Sequence, residues 1–219
     1  MEISTSNAHV LCDKLIQSLA ATELHNYLDY LKEQHQETYE HCIRVCRLSL
    51  DLGLTNDVDG NDLEILGLAS LFHDLGKMEI PESILKKNGT LDSRELRIMQ
   101  GHVRLGYIQV SNIHSGIVGD VVAMHHEFKT EPYPRQGNDR RQQPRETAER
   151  RAEKNRLQKL GQILAIADMV DALIHPRSYR DALTIDEAEQ ILRNEFTGDT
   201  RLIDQVLHRL STSDSQKHS

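Results

Sequence analysis

Apolar residues recur along most of this chain with the spacing of amphipathic α-helices, and no convincing stretch alternates as a β-strand does. Two apolar series that break near Thr22 predict two helices at the N-terminus. Further helices are predicted over residues 37–52, 63–72, 116–124 and 163–173. The pattern therefore predicts an all-α fold.

Helix-capping residues mark the starts of three other predicted elements. Asp92 is followed three residues later by Glu95, and Thr184 by Glu187, which is the spacing of a capping box. The helix that begins at Asp92 is expected to run on past residue 100. Asp62 is a plausible N-cap for the apolar helix that ends at residue 72.

The distribution of polar residues sets the predicted domain organisation. Residues 23–212 are expected to form one helical bundle, after a short N-terminal helical extension at residues 1–22 that is either a removable flank or a dimerising helix. Residues 135–159 carry nine Arg or Lys against four Asp or Glu, so a basic insertion at 135–160 is predicted, a loop running into a solvated helix. The polar residues from Ser211 are expected to fray, with a disordered tail at 213–219.

Charge and cysteine content narrow the class of protein. The net charge of −8 over 219 residues argues against a general binder of nucleic acid polymers or membranes. Three cysteines without a Cys-x-x-Cys pair predict neither a disulfide framework nor a structural zinc finger. There is no signal-peptide pattern and no run of about 18 apolar residues, so a cytoplasmic protein is expected.

The chemistry of the chain is concentrated in imidazole and carboxylate groups on or at the ends of predicted helices. His73 and Asp74 stand where the apolar run gives way to Gly76. Because adjacent helical residues point about 100° apart, they converge on one ion only if it lies against the helix end. Taken singly, such pairs also suit a helix C-terminus or an exposed helix face. The complete set of candidate ligands is Glu37, His41, His73, Asp74, His102, His125, His126 and Asp168.

This ligand set exceeds what one ion needs. Two or three divalent ions bridged by Asp74 would use all eight groups. Nitrogen and oxygen donors without thiolate favour iron or manganese. The carboxylates of Asp168 and Asp171 interrupt a nearly continuous apolar helix, and buried carboxylates need partners.

The ordered segments resemble the HD superfamily of metal-dependent phosphohydrolases, and within it the HD-GYP cyclic-dinucleotide phosphodiesterases. The resemblance covers about residues 37–182. It departs from the HD-GYP pattern after His-His-Glu (125–127), where both glycines of the following loop are absent and Tyr133 comes one residue early. The segments that carry it are Glu-Thr-Tyr-Glu-His (37–41), His-Asp-Leu-Gly-Lys (73–77), Ile-Pro-Glu-Ser-Ile-Leu (80–85), Gly-Thr-Leu (89–91), His-Val-Arg-Leu-Gly (102–106), His-His-Glu (125–127), Ile-Ala-Asp-Met-Val-Asp-Ala-Leu (166–173) and Arg-Ser-Tyr-Arg (177–180).

The resemblance implies an HD-domain helical bundle that hydrolyses cyclic di-GMP or a related cyclic dinucleotide by attack of a metal-bridged hydroxide. Asp74 and Lys77 would be catalytic, with Lys77 also on the scissile phosphate. Glu127 and Asp171 would orient ligating imidazoles. The other substrate-binding residues would be Tyr133, Arg177, Tyr179 and Arg180.

Two alternatives stay open. The altered loop favours an HD phosphohydrolase for another nucleotide or phosphate ester. A catalytically silent metal-binding signalling module is the other alternative, although the complete ligand set and Lys77 argue against it. A homodimer is a further expectation. A separate regulatory protein is another, because no input domain is recognised beside the catalytic domain.

Overall fold

The fold is all-α, as the apolar periodicity predicts. The only pairing of extended backbone among the residues that the structure describes is one isolated antiparallel bridge, between Lys129 and Phe196. The structure is a computed structural model, and it describes residues 5–20, 22–87, 89–133, 148–176 and 181–217.

Eleven α-helices and one 3₁₀ helix make up the described part of the chain. In order they are α1 (Thr5–Ser18), α2 (Glu23–Gln34), α3 (Gln36–Thr55), α4 (Gly60–Phe72), the 3₁₀ helix (Leu75–Glu79), α5 (Glu82–Leu85), α6 (Ser93–Gln100), α7 (His102–Ile113), α8 (Gly116–Ala123), α9 (Ala148–Ile174), α10 (Ile185–Glu195) and α11 (Arg201–Lys217).

The core lies where α3, α4, α8 and α9 pack together. Fully buried aliphatic side chains such as Leu50, Leu66 and Ile166 fill this space. Helix α1 packs on α3 and α4 and buries Ala8 and Cys12 in the same core. The division of the chain at residue 22 stays a prediction, but α1 shares its hydrophobic core with the rest of the bundle.

The capping predictions hold at two helices and fail at a third. Asp92 and Thr184 both form the predicted capping boxes. Helix α4, however, begins at Gly60, and its N-cap is Asp59, whose side chain accepts a hydrogen bond from the Asp62 N–H. The prediction of Asp62 as the N-cap is therefore wrong, because Asp62 lies within the first turn of the helix.

Two predicted helix lengths also differ from the structure. The helix that begins after Asp92 does not run on past residue 100, since Gly101 separates α6 from α7 and places His102 at the first position of α7. Helix α11 continues to Lys217, beyond the point at which the polar residues predicted fraying. A polar composition permits an exposed terminal helix as readily as a frayed end.

The basic segment is divided by the limits of the described residues. Residues 134–147 lie outside them, so the predicted loop is not tested. From Ala148 the chain is helical and residues 148–155 are exposed, as the predicted solvated helix requires. No helix of the described part is long and apolar enough to cross a membrane.

The 3₁₀ helix packs directly on the backbone of α7 through two glycines. A Cβ atom on Gly76 would collide with the backbone of His102 and of Gly106. A Cβ atom on Gly106 would in turn lie 3.3 Å from the nitrogen of Gly76. Only residues without a side chain permit this approach, and it brings the residue before the 3₁₀ helix, Asp74, close to the first residue of α7.

Candidate metal centre

The end of helix α4 directs two neighbouring side chains toward one point. His73 is the last residue with helical dihedral angles, and Asp74 turns into the 3₁₀ helix with φ −97° and ψ 6°. Both side chains are buried. The Nδ1 of His73 donates a hydrogen bond to the carbonyl oxygen of Ser70 (2.9 Å), so in the neutral imidazole the lone pair lies on Nε2.

A first group of donors consists of His41, His73 and Asp168, whose ligand atoms all lie within 4.8 Å of one another. His41 Nδ1 donates to Asp171 Oδ2 at 2.7 Å, so in the neutral imidazole the lone pair lies on Nε2. That Nε2 lies 3.2 Å from His73 Nε2 and 3.3 Å from Asp168 Oδ1. Two nitrogen lone pairs and a carboxylate oxygen thus face one another, an arrangement that a cation stabilises.

A second group, formed by His102, His125 and His126, repeats this arrangement with imidazoles alone. His102 Nδ1 donates to the carbonyl of Met99 and His125 Nδ1 to that of Val122, both at 2.6 Å. Their unprotonated Nε2 atoms lie 3.2 Å apart. Burial lowers the pKa of His102 to about 4 and those of His125 and His126 well below their usual value, so all three are neutral ligands at pH 7.

Asp74 lies between the two groups and contacts both. Its Oδ2 is 3.4 Å from His73 Nε2 and 3.7 Å from His41 Nε2, and its Oδ1 is 3.6 Å from His102 Nε2. Lys77 Nζ donates to Oδ2 at 2.5 Å. Burial alone would raise the pKa of Asp74, but the charge of Lys77, together with the neighbouring His73, holds it well below its usual range. Asp74 is therefore an anionic bridge between two donor groups.

The two groups fit divalent metal ions. Two nitrogen ligands that are each about 2.1 Å from one ion lie roughly 3.0 to 3.4 Å apart when the angle at the ion is near 90–110°. The separation of 3.2 Å within each imidazole pair falls in this range. The buried Nδ1 of His126 has no hydrogen-bond partner in the described structure, which also fits a metal-binding role for the second group.

Asp171 holds His41 in place, and Arg44 in turn holds Asp171. Arg44 donates from Nε to Oδ1 (2.6 Å) and from Nη2 to Oδ2 (3.0 Å) of this carboxylate. Burial would raise the pKa of Asp171, but hydrogen bonds from His175, His41 and Arg44 hold it well below its usual range. Sequence reasoning missed Arg44, although its place one helical turn after His41 was available as a signal.

Asp171→Asn is expected to weaken metal binding at the first group while sparing the second. The variant removes the charge that fixes the tautomer and orientation of His41, and such changes typically cost about 10- to 100-fold in metal affinity. Metal titration against a competing chelator would measure one weakened and one unchanged site. Equal weakening of both sites would contradict the assignment.

Asp62→Asn is the matched control for that experiment. Asp62 is also a buried carboxylate paired with an arginine, Arg156, at 2.7 Å. It lies in the first turn of α4, whereas His73 follows the last turn, about 16 Å farther along the helix axis at 1.5 Å per residue. The control variant should lose stability without losing metal.

Other predicted site residues lie at different distances from the donor groups. The ring of Tyr133 stacks on that of His126, with centroids 4.4 Å apart and an interplanar angle of 28°. Glu127 is half-buried, and burial raises its pKa. Glu37 is exposed in the first turn of α3 and belongs to neither donor group of the described residues. The structure thus does not place Glu37 with the other seven predicted ligands.

Three of the predicted substrate-binding residues fall outside the described part of the chain. They are Arg177, Tyr179 and Arg180.

Comparison with known proteins gives a family match that covers the whole metal centre. Residues 38–173 match the HD domain family. A 3'3'-cGAMP-specific phosphodiesterase of Vibrio cholerae serotype O1 is 31% identical over 176 residues, which are 77% of this chain and 30% of the relative. A cyclic di-GMP phosphodiesterase of Thermotoga maritima is 30% identical over 171 residues, 76% of this chain and 42% of the relative.

A response regulator of Xanthomonas campestris pv. campestris, named as a cyclic di-GMP phosphodiesterase, is 33% identical over 141 residues. That alignment covers 63% of this chain and 32% of the relative. The chain therefore spans less than half the length of each of these three relatives.

Proposed function

Because this chain belongs to the HD domain family, we propose that it is a metal-dependent phosphodiesterase that hydrolyses a cyclic dinucleotide. The observation that carries the proposal is the pair of buried donor groups joined by Asp74. The names of the relatives support the substrate class, since they specify cyclic di-GMP or 3'3'-cGAMP.

The proposed reaction opens one phosphodiester of the ring. A water oxygen forms a bond to phosphorus, the bond from phosphorus to one ribose oxygen breaks, and that oxygen takes up a proton, so the product is a linear dinucleotide. Divalent ions, when bound, would activate the water and neutralise the phosphate oxygens. We propose two ions, one held by each donor group, with Asp74 shared between them.

The donor chemistry supports iron or manganese as the resident metal. Each group offers imidazole nitrogens, and carboxylate oxygens come from Asp168 and Asp74. No thiolate belongs to either group of the described residues, and a set of nitrogen and oxygen donors suits these two metals.

Side chains around the donor groups supply the proposed contacts to substrate. Lys77 is half-buried beside Asp74 and would place a positive charge on the scissile phosphate. Tyr133, stacked on His126, offers an aromatic surface to a base or ribose. Arg177, Tyr179 and Arg180 remain predictions for the second phosphate or a base.

Lys77→Ala is expected to lower kcat/KM by roughly 10²-fold while the metal content stays unchanged, because it removes one charge aimed at the developing negative charge. Lys86→Ala is the matched control, since Lys86 is exposed and, among the residues that the structure describes, forms an ion pair only with Glu82 one turn away. Elemental analysis and steady-state kinetics on the three proteins would test this. Loss of metal from Lys77→Ala would indicate that Lys77 positions Asp74 for metal binding and does not act on the substrate phosphate.

A panel of substrates tests the function as a whole. The manganese-loaded protein, and the iron(II)-loaded protein kept without oxygen, would be incubated with cyclic dinucleotides, cyclic mononucleotides and nucleoside phosphates. Chromatography should reveal hydrolysis of the cyclic dinucleotides to linear dinucleotides and no hydrolysis of the other two classes of compound.

The second candidate, an HD phosphohydrolase for another nucleotide or phosphate ester, is favoured by the absence of glycine from residues 128–134. Turnover confined to nucleoside phosphates or cyclic mononucleotides would support it. If the metal-loaded protein turned over none of these compounds, the remaining alternative would be a catalytically silent metal-binding signalling module. A homodimer and a separate regulatory protein remain predictions.

A further inference from the structure

The segment that follows His126 is fixed against the end of α10. Lys129 forms an isolated antiparallel bridge with Phe196. Hydrogen bonds flank the bridge on both sides, from the Thr197 N–H to the Phe128 carbonyl (3.1 Å) and from the Thr130 N–H to the Glu195 carbonyl (3.0 Å). These contacts hold the backbone of Lys129 three residues from a predicted metal ligand.

The side chain of Lys129 lies in the electrostatic field of the metal centre. Its ammonium interacts through space with the carboxylates of Asp168 and Asp74 and with the ammonium of Lys77. The charge of Lys129 in turn lowers the pKa of both Asp168 and His126. Lys129 and Lys77 are therefore two cations beside the same pair of donor groups.

This ammonium has no direct partner in the described part of the chain. Lys129 is half-buried, yet no described residue accepts a hydrogen bond from its Nζ or approaches within ion-pair distance. Its Nζ is not one of the fully buried polar atoms without a partner, so it stays accessible to water and to a bound anion. The carboxylates that interact with this ammonium through space are those of Asp168, Asp74 and Glu195. Asp168 and Asp74 would give their charge to bound metal ions, and Glu195 already accepts a hydrogen bond from Thr130. An anion bound at the centre would be the missing partner.

We propose that Lys129 is a substrate-binding residue whose ammonium contacts a non-bridging phosphate oxygen of the ligand at the metal centre. This inference rests on the proposed function and names a contact that the sequence reasoning did not assign. It also gives the altered segment after His126 a chemical role. Where the HD-GYP pattern has glycines, this chain has a segment whose backbone is bridged to Phe196 at Lys129.

The experiment compares Lys129→Met with the wild type, both loaded with manganese. Methionine keeps most of the aliphatic stem and removes only the charge. Isothermal titration with inorganic phosphate should show about tenfold weaker binding in the variant, the typical effect of losing one charge-assisted hydrogen bond. The KM for the cleaved cyclic dinucleotide should rise more than kcat falls, and manganese content should stay unchanged. Lys129→Arg should restore most of the phosphate affinity, whereas Lys86→Met should behave as the wild type.

The experiment distinguishes failure of the proposed Lys129 contact from failure of the proposed function. If wild type binds phosphate but cleaves no cyclic dinucleotide, and Lys129→Met weakens that binding, the contact stands and the proposed function fails. Equal phosphate binding by wild type and Lys129→Met would overturn the contact, whatever the activity. Absence of phosphate binding in the wild type, or loss of manganese from the variant, would overturn it as well.

Discussion

Asp74→Asn is expected to release both metal ions and to lower turnover by about 10³-fold or more, because bound metals supply several kcal/mol of transition-state stabilisation. The expectation follows from the position of one carboxylate between two donor groups, with Oδ2 toward His41 and His73 and Oδ1 toward His102. An amide has one oxygen and no charge, so it cannot serve as an anionic bridge. Elemental analysis after gel filtration and a turnover assay would measure the two effects.

The control for this prediction is again a buried acid in an ion pair. Asp62→Asn should keep its metal and most of its activity at temperatures where it is folded. Circular dichroism would establish that Asp74→Asn is itself folded. Full retention of two ions by folded Asp74→Asn would show that the carboxylate is not shared, and would contradict the proposed centre.

His73→Ala and His125→Ala are each expected to remove one ion and leave the other. His73 belongs to the group with His41 and Asp168, whereas His125 belongs to the group with His102 and His126. Metal content should fall from two ions per chain to one in either variant. Turnover should fall by about 10²-fold or more in both, since a two-metal displacement needs both ions.

His114→Ala is the matched control for the histidine variants, because His114 is exposed at the end of α7. It should retain two ions and full turnover. Loss of both ions from His73→Ala alone would show that the second group does not hold metal independently. That result would favour a single-ion site and would remove the two-metal reaction from consideration.

Local sequence rules predicted much of the fold, for reasons that the structure makes clear. The all-α class is confirmed, as is membership of the HD superfamily, because helix periodicity and ordered motifs are carried by residues close together in the chain. His73 and Asp74 converge directly after helix α4 ends at Phe72, as predicted for adjacent residues at a helix end. The capping boxes at Asp92 and Thr184 are also local, and both form.

The contacts that sequence reasoning missed join distant parts of the chain. Arg44 meets Asp171 across 127 positions, and Lys129 is fixed by a bridge to Phe196 in another element. Periodicity carries no information about such pairs. The break at Gly101 was missed because the apolar pattern continues across it, and apolar spacing does not report the direction of the helix axis.

The contact between Gly76 and Gly106 limits how the candidate metal centre can change during evolution. It joins the 3₁₀ helix that follows Asp74 to the helix that begins with His102. Both contact residues are glycines, so no side chain at the contact can be exchanged for a smaller one. A larger residue at Gly76 would collide with the backbone of His102 and Gly106 and would force the two halves of the centre apart. New substrate preferences are therefore expected to arise at the rim, through residues such as Lys129 and Tyr133, while the metal-binding interior stays invariant among active descendants.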